Sequence, residues 1–371
     1  MVTVGYYVEM LDTPERSLAL PDAYGFCKGV VGAVDLAELA ITEARNAGIE
    51  TVYGLHDIVH DRRVTARLES LGLVFVDTVE EIPRDQVTLT SAHGIGDDVR
   101  HALMERGSTI IDATCPLVTA THIAAERARR EAATLVYICH DKPDPDESNR
   151  AELHDEVQGM MGNLHFYIDD KDDLVHSPVE RRYLELGEDF DLAMLPDTEQ
   201  VRVAVQTTLI DTEVEAYQAE LRAFIAKYRP ATTVRTSHAR DVCRAVRERQ
   251  EGVEQLVQLR PRQLIVVTDP KSANGNGYAD YARILTRDND TLTDVYTVAD
   301  ASEAANIPVI DGLVAVTASA SAPTEAISGV INALGFDNYT LPAQERFHLR
   351  DLTDGVVHSK IAAHLARINN N

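Results

Sequence analysis

The run Thr109-Ile-Ile-Asp-Ala-Thr-Cys115-Pro-Leu-Val-Thr-Ala-Thr-His122 holds a strand end, a turn and a helix start in one short stretch. Thr109 to Ile111 is apolar and β-branched, the composition of a buried strand. Asp112-Ala-Thr breaks it, and Pro116 follows Cys115 where proline is favoured as the first residue of a helix. A helical pattern then continues to about Ala133. Cys115 thus stands at a helix N-terminus, where free N–H groups and the helix dipole favour a thiolate. One free cysteine is often no more than a small buried residue. Repetition gives the position its weight.

The same arrangement recurs twice. Gly25-Phe-Cys27-Lys-Gly opens a helical pattern whose apolar positions are Val30, Val34, Ala37, Ile41 and Ala44. Ala239-Arg-Asp-Val-Cys243 opens another, with Val242, Ala245, Val246, Val253 and Leu256 on one face. The three cysteines lie domain-sized intervals apart, far from the spacing of a zinc finger or a thioredoxin-like motif. Their thiolates could converge only if three units face one centre. Cys139 ends the apolar run Leu135 to Ile138 and has the pattern of a packed strand residue.

A chain of 371 residues is too long for one small core and suits two or three α/β units. No run approaches the roughly 18 apolar residues that span a bilayer, and the N-terminus lacks a secretory pattern. Scattered cysteines point to a reducing compartment, the cytoplasm. With 35 basic and 60 acidic residues the formal charge is −25, which disfavours nucleic acid and anionic membrane as partners.

Strand-like runs recur at Thr51 to Tyr53, Leu73 to Val76, Val87 to Thr90, Thr109 to Ile111, Leu135 to Ile138, His165 to Ile168, Val201 to Val205, Leu264 to Val267, Val295 to Val298 and Leu313 to Val316. Helical patterns alternate with them, which predicts an α/β fold with mostly parallel sheets. The repeated strand–turn–Cys–helix unit suggests three similar domains, 1–115, 116–238 and 239–324. The segment 325–371, with helices from Glu325 to Leu334 and from Val357 to Ile368, is expected to pack back on them. The acidic, proline-broken stretch 141–150 is expected to be an exposed loop.

Ligands of open parallel sheets sit beyond the carboxyl ends of the strands. The polar residues there are His60, Ser91 and His93, then His154, Glu156 and Thr207, then Ser272, Asn274, Ser319 and Ser321. Singly, a histidine is more often structural, and Ser or Asn after a strand is a turn residue. Three thiolates without a fourth nearby suit an iron–sulfur cluster with one open iron, whereas a structural zinc would close its shell. The surrounding His, Ser, Thr and Asn suit phosphate oxygens. Glu156 is the carboxylate placed to move a proton, with Thr207 as its hydroxyl partner. Together they describe a redox site for a small phosphorylated substrate.

Gly25-Phe-Cys27-x-Gly-Val, Ile58-Val-His60, Ser91-Ala-His93-Gly, Asp112-Ala-Thr-Cys-Pro-Leu-Val-Thr119, His154-x-Glu156-Val-x-Gly, Gln206-Thr-Thr-Leu209, Cys243 with Arg249-Gln250, Ser272-x-Asn274-x-Asn276 and Ala320-Ser-Ala-Pro323 occur in that order. This series resembles the LytB (IspH) family of 4-hydroxy-3-methylbut-2-enyl diphosphate reductases. The resemblance implies three α/β domains in pseudo-threefold arrangement around a central [4Fe–4S] cluster held by Cys27, Cys115 and Cys243. It implies reductive removal of an allylic hydroxyl, the last step of the non-mevalonate isoprenoid pathway. His60, His93, His154, Ser272, Asn274 and Ser321 would bind the diphosphate. Glu156 would deliver the proton, with Thr207 beside it, and a ferredoxin- or flavodoxin-type donor would supply electrons.

The chain departs from the family's pattern at Arg244-Ala245-Val246, where Tyr-Ala-Thr is usual, and at Ser272-Ala-Asn-Gly-Asn-Gly277, where Ser-Ser-Asn-Ser-Asn-Arg is usual. The acidic stretch before His154 looks like an insertion. The competing readings are a paralogue reducing another allylic or phosphorylated alcohol, a non-catalytic iron–sulfur sensor, and a closed structural zinc protein. On the helix after Cys243, Arg240, Arg244 and Arg247 lie opposite the apolar face, a candidate docking patch for an acidic electron donor. Glu248, Glu251 and Glu254 on the same helix favour an ordinary solvated face.

Overall fold

The computed structural model describes residues 16–131, 133–139, 164–169, 174–177, 182–185, 199–205, 207, 211–236, 242–289, 292–336, 339, 341 and 350–369. In chain order the first elements are β1 (Arg16–Ala19), α1 (Lys28–Asn46), β2 (Val52–Leu55), α2 (Arg62–Leu71), β3 (Leu73–Val76), β4 (Val87–Leu89), α3 (Asp97–Glu105), β5 (Thr109–Ile111) and α4 (Pro116–Arg130). Next come β6 (Thr134–Cys139), β7 (Leu164–Asp169), β8 (Leu174–Ser177), β9 (Arg182–Glu185), β10 (Gln200–Val205), α5 (Asp211–Tyr228) and β11 (Thr233–Thr236). The last part holds α6 (Arg244–Gln258), β12 (Gln263–Val267), α7 (Ala273–Asp288), β13 (Asp294–Val298), α8 (Ala301–Ala304), β14 (Gly312–Ala318), α9 (Thr324–Ala333) and α10 (Arg350–Asn369). Every strand expected from the sequence is present, displaced by no more than a residue or two.

The chain divides into two compact units. The first is Met1–Val31, Val59–Ala66 and Arg244–Phe347. Its sheet has the order β1-β14-β12-β13, with every pair parallel. β12 is buried along its whole length, as expected of a near-continuous aliphatic run covered on both faces. Its core joins Ile265 and Val267 to Val314 and Val316, and closes under Ile327, Val330, Ile331 and Phe336 from α9 onward. β1 pairs with β14, in register Ser17 to Leu313, so the start of the chain joins the sheet built mostly from its last third. The sequence expectation grouped those residues with the first domain. Short strands carry no mark of a partner so distant in sequence.

The second unit is Gly32–Ile58, Arg67–Cys243 and His348–Asn371, and it carries two sheets. One is parallel, in the order β3-β2-β4-β5. Its apolar face meets Val79, Ile82, Ile95 and Leu103. The other runs β11-β10-β6-β7-β8-β9. The pairs from β11 to β7 are parallel, and β7-β8-β9 adds an antiparallel margin that the sequence pattern did not single out.

α10 covers the open edge of β5. Lys360 Nζ donates to Ile110 O at 2.8 Å, and Arg367 donates to Gly107 O. The His364 ring, almost wholly buried, lies 2.9 Å from Thr109 Oγ1. Burial and the neighbouring Arg367 cation hold the His364 pKa below its usual value. An exposed edge strand is a site of wrong pairing, and this helix closes it. No helix among the described residues is long and apolar enough to cross a membrane.

Candidate active site

Each of the three helix-start cysteines is held by the same device. The Cys27 amide donates to Ala320 O at 3.1 Å, just past β14. The Cys115 amide donates to Ala92 O at 2.9 Å, just past β4, and the Cys243 amide donates to Thr207 O at 3.1 Å, just past β10. None of the three is in a disulfide, and all are partly buried. Cys27 directly precedes α1, and its Sγ accepts from the Val30 amide at 3.4 Å, which offers a thiolate the helix's unpaired donors. Cys139 is the last residue of β6.

In the first unit the Cys27 turn, the His60 loop and the start of α7 are linked side by side. Ser321 Oγ, one residue beyond the carbonyl that holds Cys27, donates to His60 O at 3.2 Å. Ser319 Oγ lies 3.3 Å from Ser321 Oγ. Ser272 caps α7, its Oγ accepting from Gly275 N at 3.3 Å, and Asn274 lies buried in the first turn. Hydroxyls, an amide, an imidazole and a helix N-terminus so arranged suit an anionic group.

Asp269, which the motif reading passed over, ties two of these segments together. Its Oδ1 accepts from Lys271 N at 3.0 Å, and its Oδ2 accepts from Arg62 N and Arg62 Nε at 3.4 Å. Arg63 in turn pairs with buried Asp61 and donates to Ala299 O. The available signal was an Asp in the turn directly after a buried strand.

Two of the departures from the family's pattern, Gly275 and Val246, have local causes. A Cβ at Gly275 would lie 1.9 Å from Thr268 Oγ1 and 2.9 Å from Ser319 Cβ, so only glycine fits there. Val246 is a buried residue of the core face of α6, and its carbonyl accepts from the Tyr278 hydroxyl at 3.3 Å. Nothing in the structure explains Gly277. We expect Gly275→Ala to force α7 away from Thr268 and to cost about 1–3 kcal/mol, the usual scale of overpacking. Denaturant unfolding measures it, and an unchanged midpoint would show that the contact relaxes freely.

In the second unit, the Cys115 turn is fixed by Asp112. Its Oδ1 accepts from Thr90 Oγ1 at 3.2 Å and Thr114 N at 3.0 Å, and its Oδ2 accepts from Arg100 Nη2 at 2.8 Å. Burial alone would raise the Asp112 pKa, but the Thr114 hydroxyl, the Arg100 guanidinium and the Thr114 amide outweigh it and lower it. A carboxyl lowered on folding stabilises fully above its unfolded pKa of about 3.9 and loses that contribution as pH falls through the native value. Asp112→Asn should therefore flatten the acid side of the stability profile. Denaturant midpoints at neutral and acid pH test this, and parallel profiles for variant and parent would remove Asp112 as the cause.

His93 is half-buried, its amide donating to Ser91 Oγ at 3.2 Å, and Thr207 is buried beside the end of β10. His154, Glu156, Arg240 and the 141–150 stretch lie outside the described residues. Arg244 pairs with Glu248 at 2.7 Å, one turn along α6, as on a solvated charged face. Among the described residues, no group of three or more His, Cys, Asp or Glu could hold a single metal ion. Thiolates are the donors an iron–sulfur cluster takes, and none of these three cysteines is in a disulfide.

Fold and strand ends together define an α/β protein with cysteine at three helix starts and a phosphate-suited array of hydroxyl, amide and imidazole groups. The family model described as LytB protein matches residues 18–335, and the chain belongs to that family. It is 32% identical over 324 residues to the 4-hydroxy-3-methylbut-2-enyl diphosphate reductase of Haemophilus influenzae (strain PittGG), covering 85% of this chain and 89% of that one. It is 30% identical over 331 residues to the enzyme of the same name from Shewanella oneidensis, covering 87% and 90%. A solved structure of E-1-hydroxy-2-methyl-but-2-enyl-4-diphosphate reductase from Plasmodium falciparum shares the fold, with a TM-score of 0.68 at 20% identity over 92% of this chain and all of that one.

Proposed function

We propose that this chain is an oxidoreductase that converts (E)-4-hydroxy-3-methylbut-2-enyl diphosphate to isopentenyl and dimethylallyl diphosphates, the last step of the non-mevalonate pathway. The observation that carries the reading is the repeated cysteine device, present at all three strand ends in a chain of this family. The reaction takes up two electrons and two protons, breaks the allylic C–O bond, forms a C–H bond and releases water.

Cys27, Cys115 and Cys243 would hold a [4Fe–4S] cluster. Such a cluster would supply single electrons and Lewis acidity to the reaction. His60, His93, His154, Ser272, Asn274 and Ser321 would hold the diphosphate, with helix-start amides and side-chain donors offsetting its negative charge. The bond from Ser321 Oγ to the backbone carbonyl of His60 sets these two segments side by side. Glu156 would give a proton to the departing oxygen, with the Thr207 hydroxyl orienting it. Electrons would come from a ferredoxin- or flavodoxin-type donor, and we place the protein in the cytoplasm, where thiols stay reduced.

Retention of the acid and the diphosphate set beside the cysteines disfavours a non-catalytic sensor, and a paralogue with another substrate is likewise not favoured. The test is an anaerobic assay of the reconstituted protein with this diphosphate and a chemical reductant, with the products identified. Isopentenyl and dimethylallyl diphosphates are expected. Zinc in place of iron, or turnover only of another alcohol, would overturn the reading.

A further inference from the structure

Arg249 occupies a core position of α6, and no carboxylate among the described residues neutralises it. The residue is only 3% exposed and shares the buried face of the helix with Val246, Val253 and Leu256. Nη1 donates to Ala245 O at 2.8 Å, and Nη2 donates to Gly25 O at 2.5 Å. Nε is buried with no hydrogen-bond partner, and among the described residues no carboxylate forms an ion pair with the side chain. α6 comes close to the same loop at a second point, where a Cβ on Gly252 would lie 2.7 Å from Pro21 Cβ.

A buried guanidinium without an anion is costly, and a Leu or Met at this position of the helix would pack at no such cost. The cost falls if an anion occupies the neighbourhood. The carbonyl that Arg249 holds belongs to Gly25, two residues before Cys27. Gly25 has φ of 64°, a left-handed conformation suited to glycine, so the turn is set at both the backbone and the guanidinium. A cluster bound by three thiolates carries net negative charge in both oxidation states, more when reduced.

We propose that Arg249 is the counter-cation of the metal–thiolate group at Cys27, a positioning residue that favours the reduced form of that group as well as ordering the Cys27 turn. This rests on the cluster assigned above. A cation near a redox centre favours the more negative state, so removing the charge lowers the reduction potential, and a replacement that keeps it does not. In the protein without its cluster, the same charge is a burden.

The test compares the parent with Arg249→Lys, Arg249→Met and Arg249→Gln, each reconstituted anaerobically and each also prepared without iron. In Arg249→Met the one-electron reduction equilibrium is expected to shift about tenfold toward the oxidised form, or about 59 mV. Arg249→Lys should restore most of it. The iron-free Met variant should be at least as stable as the iron-free parent, while its loaded form loses cluster faster. Should Arg249→Met fail to fold, Arg249→Gln, which keeps a donor for Gly25, carries the same comparison. An unchanged potential in the neutral variants, or an equal fall in Arg249→Lys, overturns the charge role and leaves a mere strut. A parent that takes up no cluster at all refutes the underlying cluster assignment, and the proposal with it.

Discussion

Serine in place of Cys27, Cys115 or Cys243 is expected to abolish turnover and the visible iron–sulfur absorption together, while Cys139→Ser leaves both near the parent level. Iron prefers soft thiolate, and a serine hydroxyl stays protonated at neutral pH, so each change removes a ligand with little change of shape. The three positions share one construction, an amide bonded to the carbonyl just past a strand end and a thiol at a helix start. Cys139 is the last residue of β6 and belongs to none of the ordered motifs. Iron and sulfide content, the absorption spectrum and anaerobic activity decide the matter. Loss of the cluster in Cys139→Ser to the same degree would break the assignment, as would a retained cluster in any of the other three.

Glu156→Gln should lose roughly 10²-fold or more in turnover while keeping cluster and substrate affinity, the scale for a positioned general acid. Glutamine matches the size and hydrogen bonding of the acid but cannot release a proton. The reaction needs one proton at the departing oxygen, and Glu156, in the His154-x-Glu156 motif, is the carboxylate proposed for it. A pH profile of kcat separates the role from simple packing, since the limb that belongs to Glu156 should vanish in the variant. Turnover within a few-fold of the parent would mean that the proton comes from another group.

Each unit orders its own cysteines through contacts that a short sequence window does not show. In the first unit, Cys27, Ser321, His60 and the capped start of α7 are linked through adjacent backbone and hydroxyl contacts. In the second, Asp112 and the carbonyls of Ala92 and Thr207 hold the other two cysteines. The arginine patch proposed for donor docking gains nothing comparable, because Arg244 spends its charge on Glu248 of its own helix.

What the sequence alone determined is local. A β-branched run, a polar break and a proline-led helix are all written within one stretch, so strands, helix starts and the three special cysteines could be read without any partner in view. The ordered motifs likewise marked the histidines and serines at strand ends. Only the tertiary structure decided what depends on contacts distant in sequence. β1 joins β14 because pairing register comes from the whole sheet, and four residues carry no address. α10 lies on β5 because that edge needs covering. Arg249 stood in the sequence only as part of a motif with Cys243 and Gln250, and its meaning required knowing that the Gly25 carbonyl stands in front of it. Asp269 and Thr268 are similar: an acid and a hydroxyl in a turn are ordinary until Arg62 and Gly275 are brought against them. Backbone propensity acts over a few residues, whereas the cost of burying a charge or a Cβ is set by whatever the fold brings within a few ångströms.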